Sequence, residues 1–244
     1  MFRTFIRIDP TEYVGKKVVT ACVGRGKEVH YALKFGADLV FVNEIGDEIY
    51  DIPNLFPSQK NRLVICRSDI SNSPFKNQLA DLVICDHALQ HIQGQFRGYK
   101  KLSAMAKPGG KIGVCVYSHE NNFIMTHIVE PAKIFLQYIP LRVLRFLAYG
   151  PASLILAYIG LILTVEFTFS KKRSRYFPLY DHMIFWSKNS LKKNATACFD
   201  LLHAPVSYHF SRSEMENLSI AADQKILVLE NTHGTTWSMV AEQQ

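Results

Sequence analysis

Lys16–Glu44 reads KKVVTACVGRGKEVHYALKFGADLVFVNE. KKVVTACV is an apolar strand, Gly24-Arg25-Gly26 a turn, KEVHYALKFG a short helix closing on Gly36, and DLVFVNE a second strand ending in the acid Glu44. This is the front half of a βαβ unit of the nucleotide-binding kind. Glycines let the backbone approach a polar ligand, and the first amides of the helix point at that ligand. An acid about 20 residues on can take a ribose diol. A glycine turn in an ordinary crossover has the same appearance, so the downstream order has to decide.

Outward from this unit, short β-rich apolar runs recur: VVTACV, LVFVN, RLVICRSD, ADLVICDH and KIGVCVYS. Each has the length of a strand buried on both faces, the mark of a parallel sheet. Asn72-Ser73-Pro74 precedes the fourth run and Lys107-Pro108-Gly109-Gly110 the fifth. After Tyr117 the pattern breaks, and Ile124 to about Asn194 is helical in tendency, basic and very apolar. Ser211 or Ser213 then caps a helix, with Glu214 or Glu216 in its first turn. KILVLENTHG and TTWSMVAEQ close the chain and meet at His233-Gly234, a hairpin signal that makes the last strand antiparallel. The reading divides the chain into a core over 1–124, an insertion over 125–194 and a completion of the core over 195–244.

Five βα units followed by a hairpin resemble the class I S-adenosylmethionine-dependent methyltransferases, in particular the small-molecule group with a KPGG turn. The resemblance spans about 14–118 and 200–244. It is carried by VVTACVGRGKE, Glu44, SDISNSPF, ADLVICDHALQHI and AMAKPGGKIGVCVY. It implies an α/β fold: a Rossmann-like seven-stranded methyltransferase sheet with an antiparallel last strand, plus an α-helical insertion. The last strand, Thr235 to Glu242, is expected between Lys111–Tyr117 and Lys225–Glu230. The implied cofactor is S-adenosyl-L-methionine. By position, Gly24 and Gly26 pass close to its methionine half and Glu44 accepts from both ribose hydroxyls. Asp69 accepts from the adenine amino group, Ile70 packs on the ring, and Asp86 lines the pocket near the sulfonium. Thr20 and Cys22 depart from the family, which usually has an acid and a glycine there. Threonine still accepts a hydrogen bond toward the methionine amino group but offers no counter-charge. His87 and His91 are the catalytic candidates, and His119 falls in the loop after the fifth strand. His91 lies in an LQHI stretch like the family's common L-x-H-I, where the histidine is often structural. A Rossmann dehydrogenase competes for the fold, but Val29 stands where its third glycine belongs.

The net charge of +7 is unevenly placed. Residues 131–193 hold ten basic residues against Glu166 and Asp181, for +8, so the remainder sums to −1. The nucleotide-binding-like part is therefore not a basic surface, and no nucleic acid is expected as a partner. At 48% hydrophobic and 20% charged the chain is globular. Its five cysteines form no CxxC pair or ligand-like spacing, so neither a metal site nor an oxidised scaffold is expected. MFRTFIRIDPTEYVG has no long apolar region or cleavage site, so the expected location is cytoplasmic.

Phe146 to Val165, FLAYGPASLILAYIGLILTV, carries no charge over twenty residues. That is long enough to span a membrane. The strands on either side belong to one sheet, which argues against a single crossing. Gly150-Pro151 breaks the run, so two shorter helices are expected. They form either a lid over an apolar acceptor pocket, or a subunit contact, or a hairpin at the lipid interface. The basic and aromatic flank from Lys171 to Trp186 suits headgroups. Two functions follow. One is methyl transfer to an apolar or amphipathic small-molecule acceptor, lipid-linked in one version, with the protein peripheral to an anionic membrane surface. The other is a catalytically degenerate methyltransferase-fold subunit that binds a protein partner through 131–193.

Overall fold

The computed structural model describes residues 6–204 and 207–244, so the first five residues of the stretch read for a leader lie outside it. The chain divides into two compact units. One comprises the chain up to Tyr117 with Phe210–Thr232 and Thr236–Gln244, and the other Ser118–His209 with His233–Thr235.

The first unit is a seven-stranded sheet. In chain order it holds β1 (Lys17–Ala21), α1 (Lys27–Lys34), β2 (Leu39–Glu44), α2 (Ile52–Leu55), β3 (Leu63–Arg67), β4 (Ala80–Asp86), α3 (Gln95–Met105) and β5 (Ala106–Tyr117). The second unit intervenes with α4 (Glu130–Leu136), α5 (Leu141–Leu147), α6 (Tyr149–Thr168), α7 (Lys171–Ser174), α8 (Tyr180–Trp186) and α9 (Leu191–His203). The sheet unit then resumes with α10 (Arg212–Ala221), β6 (Gln224–Thr232) and β7 (Thr236–Gln243). The sheet order is β3-β2-β1-β4-β5-β7-β6. The first five strands are parallel, and β7 is antiparallel to both of its neighbours. This is the expected sheet, with the last strand in the expected place.

Strand composition explains the burial. Val18, Val19, Val40, Val42, Val83 and Cys85 are fully buried, as β-branched and small apolar residues are when helices cover both faces. Val29, Ala32 and Leu33 on one side of α1 join Ile49 and Ile52 in the same core. At α10, Ser211 accepts from the Glu214 backbone while Glu214 reaches back to the Ser211 backbone, a complete capping box.

In the second unit, the expected break at Gly150-Pro151 does not occur. α6 runs unbroken from Tyr149 to Thr168, with Gly150 and Pro151 in its first turn and Gly160 in its middle. The first-turn amides of a helix have no partner within it, so a proline there removes no hydrogen bond. Leu144, Ala148, Ala152, Ile159 and Ile162 form a buried stripe along α5 and α6. It packs with Tyr180, Met183 and Trp186 of α8 and with Ala195, Cys198 and Phe199 of α9.

One glycine sets the packing of the sheet's middle. A Cβ at Gly113 in β5 would meet Ile6 Cγ2 at 2.5 Å, Ile8 Cδ1 at 3.2 Å and Ile84 Cδ1 at 3.5 Å. Gly113 is held in register by Ile84 of β4 on one side and Val240 of β7 on the other. Gly113→Ala is therefore expected to overpack the core and cost about 1–3 kcal/mol. A lowered midpoint in urea unfolding reads this directly, and an unchanged midpoint would show the space to be slack.

Candidate active site

β1 and β4 are neighbours although β2 and β3 continue to the other side of β1, so the sheet reverses its winding between them. In open α/β sheets, ligands bind outside the carboxyl ends of the strands at such a reversal. The parallel register from Lys17↔Leu39 to Ala21↔Asn43 brings the glycine turn after β1 level with Glu44 at the end of β2.

Glu44 is buried, and its carboxylate is an acceptor for three backbone amides. Oε2 accepts from the Gly24 N–H at 2.8 Å, and Oε1 from Ile45 and Gly46 at 2.8 and 3.0 Å. Gly24 and Gly26 both hold left-handed backbone, with φ of 48° and 77°. At Gly24 a Cβ would meet nothing within 4 Å, so the turn fronts open space. At Gly26 it would lie 2.8 Å from Ile52 Cδ1. Cys22 also adopts positive φ, 55°, which costs a residue with a side chain about 1–2 kcal/mol. The cysteine keeps the backbone shape that a glycine adopts freely.

Asp86 ends β4 with its side chain only 4% exposed. Oδ2 accepts from Lys27 Nζ at 2.7 Å, and Oδ1 lies 2.7 Å from His87 Nδ1. Burial alone would favour the neutral acid, but His87 and Lys27 outweigh it and hold the carboxyl well below the usual range. On Lys27, burial is likewise outweighed by Asp86 and Glu28, and its ammonium is raised above the ordinary value. Glu28, 3.5 Å from Lys27 Nζ, is pushed up to about 7 by burial and then by the charge of Asp86, with Lys27 offsetting part.

His87 follows at φ 53°, its backbone N–H donating to the Cys115 carbonyl at 2.9 Å. The contact of Nδ1 with Asp86 fixes the orientation of the ring at the end of β4. Tyr117 at the end of β5 meets both histidines, with ring centres 5.9 Å from His87 and 5.6 Å, edge-on, from His91.

Beyond β3, Asp69 caps a short 3-10 turn and accepts from the Ser71 N–H at 2.7 Å. Ile70 is buried at 3% exposure. The Ser71 hydroxyl is buried without a partner. Thr20 is fully buried and donates to the Phe41 carbonyl at 3.4 Å, so its hydroxyl is committed to the sheet. His119 belongs to the helical unit.

The structure thus gathers Gly24, Gly26 and Glu44 into one cluster and Asp86 and His87 into another. Lys27, at the start of α1, joins the second cluster to the glycine turn. Lys27 and Glu28 were not among the residues anticipated from sequence. The signal was present: a lysine in the first turn of a helix faces the positive end of its dipole and needs an acidic partner nearby.

The Methyltransferase domain family matches residues 20–114. No curated protein matches the chain. Among solved structures, an S-adenosylmethionine-dependent methyltransferase from Mesorhizobium loti is similar at 12% identity. It covers 95% of this chain and 93% of its own, with a TM-score of 0.55. The Burkholderia thailandensis 1,6-didemethyltoxoflavin-N1-methyltransferase, solved with 1,6-didemethyltoxoflavin and S-adenosylhomocysteine, is 11% identical. It covers 95% and 72%, with a TM-score of 0.54. The magnesium protoporphyrin IX methyltransferase of Synechocystis, with bound S-adenosylhomocysteine, is 14% identical and covers 95% and 76%, with a TM-score of 0.51. At these identities the likeness establishes the fold.

Glu28 gives the site a measurable pH signature. In the fold it keeps its proton to about pH 7, against an ordinary value of 4.5, so the native state binds a proton that the unfolded chain has lost. Stability from this group is complete below 4.5 and falls as the pH rises toward 7. Glu28→Gln should leave the melting temperature unchanged at pH 4 and raise it by about 3 °C at pH 8, on the scale of ~1 kcal/mol. Equal melting temperatures at pH 8 would show that the buried charge is fully compensated.

Proposed function

We propose that the chain, whose residues 20–114 match the Methyltransferase domain family and lie on this seven-stranded sheet, is an S-adenosylmethionine-dependent methyltransferase. In this reading it delivers the methyl group to an apolar or amphipathic small molecule, a lipid-linked acceptor being the version its insertion favours. The observation that carries the reading is the Asp86–His87 pair at the ligand edge of the sheet, beside a glycine turn that Glu44 holds open.

The residues present fit an adenosine-bearing cofactor. Gly24 fronts open space, Glu44 places Oε2 on the glycine turn and Oε1 on the turn after β2, and the Ser71 hydroxyl is buried and unpartnered beside Asp69. When bound, the cofactor supplies an electrophilic methyl group on a sulfonium. Glu44 is assigned the ribose diol, and Asp69 with Ser71 the adenine edge. Thr20 cannot supply the usual acid. Asp86, held ionised, is assigned the methionine end of the cofactor, whose ammonium would take the place of Lys27 on Oδ2. His87 is the base: Asp86 fixes its Nδ1–H, so Nε2 is the atom that takes a proton from an acidic acceptor hydroxyl or amine. Displacement at a methyl group otherwise needs mainly positioning. His91 is assigned to packing against Tyr117.

A degenerate subunit is the second reading, favoured by the commitment of Thr20 to Phe41 and by the positive φ of Cys22. Its cofactor-binding surface would be vestigial, and the insertion would bind a protein partner.

Calorimetric titration with S-adenosylmethionine separates the two readings. Wild type should bind, and Glu44→Gln should bind more weakly by about 2–3 kcal/mol, the loss of a charge-assisted pair. No binding by wild type would favour the degenerate subunit. Equal binding by Glu44→Gln would misplace the ribose. His87→Ala should keep cofactor binding and lose about 10²–10⁴-fold in turnover of a hydroxyl or amine acceptor. Unchanged turnover would remove His87 from the chemistry.

A further inference from the structure

The outward face of the span from Leu141 to Thr168, formed by α5 and α6, departs from what water-facing helices show. A helix on a soluble surface pairs an apolar inner stripe with a charged outer one. Here the inner stripe is filled by α8 and α9, yet the opposite side is apolar too. Val143, Phe146, Leu154, Leu161 and Phe167 lie along this outer half, exposed by 47, 76, 73, 51 and 95%. The span has a mean hydropathy of 1.9 over its most apolar window, of which only 22% is buried.

Two of its polar groups are bonded within the unit. Thr164 donates its hydroxyl to the Gly160 carbonyl of its own helix at 2.8 Å. Glu166, the one acid between Leu141 and Arg175, accepts from Tyr180 at 2.8 Å and from Ser174 at 3.2 Å. The basic residues, by contrast, are exposed at both ends. Arg142 and Arg145 precede the uncharged run, and Lys171, Lys172, Arg173 and Arg175 follow it.

We propose that this face docks in the plane of an anionic lipid surface, with the outer half of α5 and α6 in the acyl boundary and the two basic ends among the headgroups. Three observations select this occupant. A second copy of the chain would bring basic ends together whether the helices ran parallel or antiparallel, which disfavours self-association. A single crossing is excluded because β5 before the insertion and β6 and β7 after it belong to one sheet. A second crossing has no candidate, because among the described residues only this helix is long and apolar enough. An in-plane helix with basic flanks is the arrangement left, and such binding scales with buried apolar area and with attraction to anionic lipid.

This docking does not depend on the methyl-transfer chemistry, and its test leaves that chemistry aside. The full chain is co-sedimented with phosphatidylcholine vesicles containing phosphatidylserine, and with phosphatidylcholine alone, at low and at high salt. Sedimentation with the anionic vesicles is expected, weakening at high salt as the screening length contracts. Changing Lys171, Lys172, Arg173 and Arg175 together to Gln should lower the partition at least tenfold. Leu154→Glu with Leu161→Glu, both at exposed positions, should abolish it with the melting temperature unchanged. Wild type remaining in the supernatant at low salt would overturn the proposal. So would an oligomer in sedimentation velocity that the two glutamates dissolve, because the face would then be a contact between copies.

Discussion

The geometry of the site depends on one carboxylate accepting three amides. Glu44 ties the turn after β1 to the turn after β2, and a buried carboxylate left without these donors would be costly. The constraint runs both ways. Gly24 has to present its N–H toward β2, and this sets the left-handed course of the turn and the start of α1 at Lys27. From there Lys27 reaches Asp86, so the ends of β1, β2 and β4 are linked through two acidic side chains. In the proposed reading the same two oxygens would also take the ribose diol, so stability and recognition would draw on one carboxylate.

The sheet was legible in the sequence because its strands carry their own signal. Runs such as LVFVN and ADLVICD are short, apolar and β-branched, and each turned out to be a strand buried on both faces. The hairpin at His233-Gly234 fixed the antiparallel strand, and Ser211 with Glu214 marked the start of α10. Glu44 was legible as an acid ending a strand. The role of Lys27 was not, because its partner Asp86 lies 59 residues away and nothing local records the pairing. α6 was misread for a physical reason. Proline breaks a helix by lacking an N–H, and that matters only after the first turn. The sequence showed Gly150-Pro151 but not where the helix began.

The two departures in the glycine-rich motif have different consequences. Cys22 keeps the backbone conformation and accepts the strain of a side chain at positive φ. Thr20 changes the chemistry, because a hydroxyl donating to Phe41 leaves the end of β1 without a charge. The negative charge at this edge sits instead on β4, where Asp86 is kept ionised by a lysine and a histidine together.

The placement of β7 has a consequence for how the protein is made. β5 is complete by Tyr117, but its partner on one side is not synthesised until Thr236, after the whole helical unit has emerged. During that interval β5 is an apolar edge strand with unpaired amides and carbonyls, the template on which other chains can add. Pairing at such separation is slow because loop closure must precede any gain in contacts. The nascent chain therefore passes through a stage that favours association between copies, and holding β5 covered until the hairpin arrives is the step at which a chaperone would matter most.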